Sequence, residues 1–366
     1  MKSRFLLSVL LSAFIALSSV STLAAQENRY PDAKPMFKAG PPHRNIAVRN
    51  SPTGNLVQWK GKFIDITHKT VTFTMVGTDP TKTNVTTTIP VLIIPIKMVY
   101  GSTNGNMTFD PVSKKLPNGK TIIQNTIASP MFNPGVNFTQ GGTNLGTTQY
   151  ADAFQRGNFW STVGTKNKLY HVLLGAPTVL PEQSITVPAS QGKVIPNPFG
   201  PGKVGIYDVN ALDSRLQSFI KKFTQINPGV LPLFVTYDTY ITVSGTCCLG
   251  GYHNANGVQP AGQTYATFTY VDSPGSFSQD VSGLSHVIGE WMDDPFVDNL
   301  VNCQGNNLME VGDPLRNSNP YPYVLNGFTY NLQSLVFIGY YGDKASTSVH
   351  SWLSFQNDEA AVCPGQ

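Results

Sequence analysis

One helix sets the hardest condition on how this chain can fold. Leu284-Ser285-His286-Val287-Ile288-Gly289-Glu290-Trp291-Met292-Asp293-Asp294-Pro295 predicts a helix from about Asp280 to Met292. Pro295 stops it, because proline lacks the amide and disfavours helix in the residue before it. Leu284, Ile288, Trp291 and Met292 make the helix partly buried, with Trp291 in the core. His286 and Glu290 stand at i and i+4, so their side chains share a face with Cβ atoms about 5–6 Å apart. Two readings follow. They are a buried pair without metal, or they meet one metal ion at about 2.0–2.2 Å each.

Glu310 follows twenty positions after Glu290, within Glu310-Val311-Gly312-Asp313-Pro314. It can return as a third ligand, and a catalytic zinc needs about three protein ligands. The plainer reading of that string is a turn. Asp293-Asp294-Pro295 likewise reads as a polar helix end and turn.

The helix resembles the zincin metallopeptidase motif H-E-x-x-H in its glutamate-ended variant, H-E-x-x-E. The third ligand about twenty positions on is similar to gluzincin spacing. The longer string S-H-x-x-x-E-W-x-x-D-P, then E-V-G-D-P, resembles an uncharacterised group of secreted bacterial proteins. It is more loosely similar to the plant exordium-like (phosphate-induced) proteins. The resemblance covers roughly Thr147 to Cys363. It implies an α+β fold: a zincin-like mixed domain with a metal-binding helix and an edge strand, preceded by a β-rich N-terminal part. Tyr265–Val271 is the strand expected at that edge. The implied cofactor is zinc, on His286, Glu290 and Glu310, with Asp313 behind a ligand or in place of one.

The resemblance fails at one position. The glutamate that follows the first histidine in the motif is Val287 here. Its proton-accepting role is worth about 10²–10⁴-fold. Asp293, seven positions after His286, is the substitute to consider. The implied function is a secreted zincin-like zinc protein, a degenerate metal-dependent peptidase acting on peptide or cell-envelope material. The alternative is a non-catalytic extracellular or envelope protein that keeps the fold for binding or structure. A third reading is carbohydrate binding through surface aromatics Tyr321, Tyr323 and Tyr330.

The rest of the chain reads as four parts. Residues 1–24 predict a signal peptide: Lys2 and Arg4, an apolar run from Phe5 to Leu17, and small residues up to Ala24. Residues 25–54, with Pro31, Pro35, Pro41 and Pro42, predict an extended linker. Residues 55–142 predict a β-rich part, with strands at 63–67, 70–76 and 91–96 and a loop-like stretch from Ser102 to Gly142. Residues 143–366 predict the mixed domain. It has helices at 147–162 and 209–223 and strands at 170–174, 231–240 and 265–271.

Four cysteines suit an exported chain. Bridging Cys303 to Cys363 would order the tail and leave Cys247 and Cys248 as a vicinal pair. The alternative sends each of those two to a distant partner. His253 reads as a loop histidine, or as a cleft residue that hydrogen-bonds a bound carbonyl. His171 reads as core, and His43, His68 and His350 have no partner pattern. Only 13% of residues are charged and the net charge is +4, without a basic aromatic-laced cluster. Nucleic acid is therefore not an expected partner. No G-x-S-x-G elbow or P-loop is present, and no G-x-G-x-x-G is read as following a strand. After the leader no segment is long and apolar enough to span a bilayer.

Overall fold

The run Val91–Tyr100 is buried along nearly its whole length, as a strand covered on both faces must be. A computed structural model describes it together with residues 33–37, 40, 43–50, 54–303, 307–316, 321–342, 347–357 and 363. The expected signal peptide lies outside the described residues. Strands make up 38% of the described residues and helices 19%, so the fold is mixed and β-rich.

Val91–Tyr100 pairs in parallel with Gln183–Val187 on one side and Leu231–Tyr237 on the other. Leu231–Tyr237 pairs in parallel with Gln263–Tyr270. Gly251–Asn256 then closes the sheet antiparallel to Gln263–Tyr270. The register lines Ile93, Leu233, Ala266 and His253 into one row across four strands. Such a row shares one face, so His253 lies on the face that meets the helix Ser282–Asp293. All twelve residues of that helix are buried.

The structure corrects several expectations. The edge strand is Gly251–Asn256, not Tyr265–Val271, because Gln263–Tyr270 has neighbours on both sides. Val91–Tyr100, from the expected N-terminal part, is a central strand of the sheet that carries the helix. A boundary near residue 142 therefore does not separate two sheets. The stretch Ser102–Gly142 contains the helix Ile122–Ala128, with a capping box from Thr121, and the strand Val136–Gln140. The expected helix 147–162 breaks into Tyr150–Asn158 and Trp160–Val163.

Cys247 and Cys248 are bonded to each other. The expected Cys303–Cys363 bridge is not formed. The amide of Cys363 donates to Tyr340 O at 2.8 Å, which brings the tail back. The two side chains then meet as hydrogen-bonded, buried thiols. The aromatic platform is also absent in its expected form. Tyr330 is buried with its hydroxyl donating to Asn125 at 3.1 Å, and Tyr323 donates to Asn137 O at 2.7 Å while packing on Phe138.

Asp280 anchors the approach to the helix. Its carboxylate accepts from the Val281 amide and from the Asn331 amide and side chain. Burial nonetheless pushes its pKa up to about 7. A raised folded-state value means the native protein holds a proton that the unfolded chain releases. The associated stability is full below about pH 4 and is lost as pH rises to about 7, at about 1.4 kcal/mol per unit. Asp280→Asn is expected to flatten the stability profile across that window, as measured by denaturant titration at several pH values.

Candidate metal centre

Ser285, which opens the S-H string, holds Gln333. Its hydroxyl accepts from the Gln333 amide at 2.8 Å and donates to Ser282 O. The Gln333 side-chain amide donates to Gly312 O at 2.7 Å, which turns its oxygen towards His286 Nδ1 at 2.9 Å. That oxygen only accepts, so Nδ1 carries the proton and Nε2 presents a lone pair. Burial pushes the His286 pKa down to about 4, which keeps the ring neutral near pH 7. Gly312 belongs to the same arrangement. A Cβ there would stand 2.5 Å from His286 Nδ1, so the glycine of E-V-G-D permits close approach of backbone to imidazole.

The His286 lone pair faces acids. Glu290 Oε1 lies 2.7 Å from Nε2, and Asp313 Oδ1 lies 3.8 Å away. The shorter contact is not a hydrogen bond. His286 Nε2 and both Glu290 oxygens lack hydrogen-bond partners among the described residues. Glu310 and the Gly312 backbone approach Glu290 without hydrogen-bond geometry. Lone pairs held face to face in a buried site repel unless a proton or a metal cation lies between them, and buried polar atoms left unpaired are costly.

A second group adjoins the first. His253 Nε2 meets Glu310 Oε2 at 3.0 Å, while His253 Nδ1 and Glu310 Oε1 have no hydrogen-bond partner among the described residues. The ligand atoms of His253, Glu290 and Glu310 lie within 4.8 Å of one another, as do those of His286, Glu290 and Asp313. Asp294 stands one turn past Glu290 on the stripe that begins at His286. Its Oδ1 accepts from the amides of Asp298 and Asn299 at 2.9 and 3.1 Å, and its Oδ2 has no partner.

Crowded burial governs the charges. It raises the pKa of Glu290 and Glu310, that of Asp294 to about 8 and that of Asp313 to about 6. Burial alone would depress His253, but the charge and hydrogen bond of Glu310, together with the charges of Glu290 and Asp294, outweigh it and raise the value to about 9. Imidazoles and carboxylates without thiolates suit zinc or manganese. The donor set therefore fits a divalent cation.

The structure thus brings together His286, Glu290, Glu310 and Asp313, but puts Glu310 and Asp313 in different groups around Glu290. His253 is a buried strand residue, not a loop histidine. Asp293 is turned away: its carboxylate accepts from Gln155 of the helix Tyr150–Asn158, and it belongs to neither group. Val287 is fully buried within the hydrophobic core. Asp294 and Gln333 are additions, and Gln333 carries no sequence signal, being 47 residues from His286.

The segment expected as a linker instead lies along the sheet edge. Lys34 and Met36 exchange backbone hydrogen bonds with 247–250, and the amides of Gly40 and His43 donate to His253 O and Ala255 O. The bridges are parallel. Phe37 stacks on His286 with ring centroids 3.6 Å apart. His43 pairs with Asp213 at 2.8 Å. Arg49 donates to the carbonyls of Lys221, Phe223 and Ile226 at the end of the helix Val209–Lys222. An apolar cavity of about 580 Å³, lined by Trp59, Phe63, Phe73 and Phe159 among others, lies apart from the cluster.

Gln333→Ala frees the His286 tautomer. Loss of a group that orients a metal-binding histidine costs about 10–100-fold in affinity. Zinc affinity, measured against a competing chelator, is expected to fall by that factor while the fold is retained.

No protein-family model matches this chain, and no curated protein and no solved structure matches it either.

Proposed function

We propose that the chain is an exported zinc protein of zincin type, suited to metal-assisted hydrolysis of an amide bond. The observation that carries this is the His286–Glu290 contact: two fully buried lone-pair donors at 2.7 Å with no hydrogen bond between them. His286, Glu290 and Asp313 would hold the ion. When bound, zinc polarises a carbonyl oxygen as a Lewis acid. Gln333 keeps the His286 proton on Nδ1, away from the ion. Val287 cannot accept a proton; Asp294, whose Oδ2 is buried without a hydrogen-bond partner among the described residues, would take that role once a bound ion lowers its raised pKa. The backbone hydrogen bonds from Gly40 and His43 to His253 and Ala255 support an extended chain as the substrate class. Export rests on the leader at residues 1–24. No helix among the described residues is long and apolar enough to cross a membrane.

The purified protein, freed of its leader, is expected to retain zinc. Chelation should lower its melting temperature, because a ligand bound only by the native state stabilises it by about 4 kcal/mol at a thousand times its Kd. His286→Ala should remove both effects. A parent protein that takes up no zinc at neutral pH would sink this reading. Asp294→Asn should keep the zinc and lose about 10²–10⁴-fold in peptide hydrolysis.

A second reading, a non-catalytic binding module, is favoured by Val287 in the core and by Phe37 over His286. Val287→Glu tests whether that position is packed core. A carboxylate buried there without a partner costs several kcal/mol. The variant is expected to melt early unless zinc is present. Zinc-loaded parent and Phe37→Ala proteins that both fail to cleave an unstructured peptide would favour the binding module.

A further inference from the structure

The two groups of ligand atoms meet at one residue. Glu290 belongs to both, and neither of its oxygens is hydrogen-bonded. One ion held by His286, Glu290 and Asp313 would engage the side facing Oε1. It would leave Glu310 Oε1 and the second oxygen of Glu290 buried without partners among the described residues.

We propose that the cluster is a two-ion centre in which Glu290 bridges one divalent cation held by His286 and Asp313 to a second held by His253 and Glu310. This rests on the metal reading of the preceding subsection and extends it to a second position.

The dimensions agree. Metal pairs that share a ligand in hydrolytic sites lie about 3.5–4 Å apart. Two donor groups, each spread over no more than 4.8 Å and joined by one carboxylate, accommodate that spacing. The two positions draw on three separate parts of the fold. The helix supplies His286 and Glu290, the edge strand supplies His253, and the segment Glu310–Asp313 supplies one carboxylate to each side.

The experiment is a metal count on the leader-free full chain, stripped with chelator and titrated with zinc by calorimetry and elemental analysis. Two zinc ions per chain are expected, falling to one in Glu310→Gln. Loading the parent with manganese should give the spin-coupled paramagnetic spectrum of two adjacent ions. One zinc per chain in the parent, with an uncoupled manganese signal, would overturn the two-ion centre and leave the single-ion reading standing. No zinc at all would overturn both. If Glu310→Gln does not fold, the zinc count and manganese spectrum of the parent decide the matter.

Discussion

A charged stripe on a helix with no face to water is the constraint on which the rest of this structure depends. His286, Glu290 and Asp294 repeat every fourth residue along Ser282–Asp293 and its C-cap. Each must find a partner inside the protein, since desolvating a charge without one costs several kcal/mol. The fold answers from three directions. The antiparallel strand at the sheet edge brings His253. The segment after the helix returns Glu310 and Asp313. Gln333, held by Ser285, fixes which nitrogen of His286 faces inward. These partners leave most of the inward-facing atoms without hydrogen bonds, and that excess distinguishes the cluster from an internal salt bridge.

The same constraint explains residues that look incidental. Gly312 lies between two of the acids because any side chain there would collide with the imidazole. Trp291 faces away from the cluster and donates its indole N–H to Thr264 at 2.9 Å, satisfying its one polar atom within the core. Ser285 has no contact with the acids, yet it positions the residue that orients His286. A polar network of this kind is well specified only when every supporting group is in place.

Much of the site was legible in local sequence. The i, i+4 spacing of His286 and Glu290, the Pro295 stop and the acids of Glu310–Asp313 identify the helix and four of the clustered groups. What local sequence did not disclose depends on tertiary pairing. Tyr265–Val271 reads as a strand, and the resemblance places it at the edge, but whether a neighbour adds to it is decided by residues 251–256, where His253 reads as a loop histidine. Gly250-Gly251 and Asn254 disfavour strand by propensity, and the sheet overrides that preference. Asp293 and Asp294 are adjacent and chemically alike. One step along the helix turns the first to Gln155 and the second towards the cluster. The proline-bearing segment before residue 50 has no periodicity because its partner is backbone, and backbone hydrogen bonds leave no pattern in side chains.

That segment has a consequence for molecular access. A sheet edge with exposed amides and carbonyls is a template for any passing strand, and here the chain fills its own template. The filler is tethered through Arg49, so its local concentration at the edge is of millimolar order for a short tether. A free peptide reaching for the same carbonyls meets a competitor that never diffuses away. An external chain pairing along that edge would compete with backbone contacts that the protein already makes. Phe37, lying flat on His286, covers one face of the imidazole.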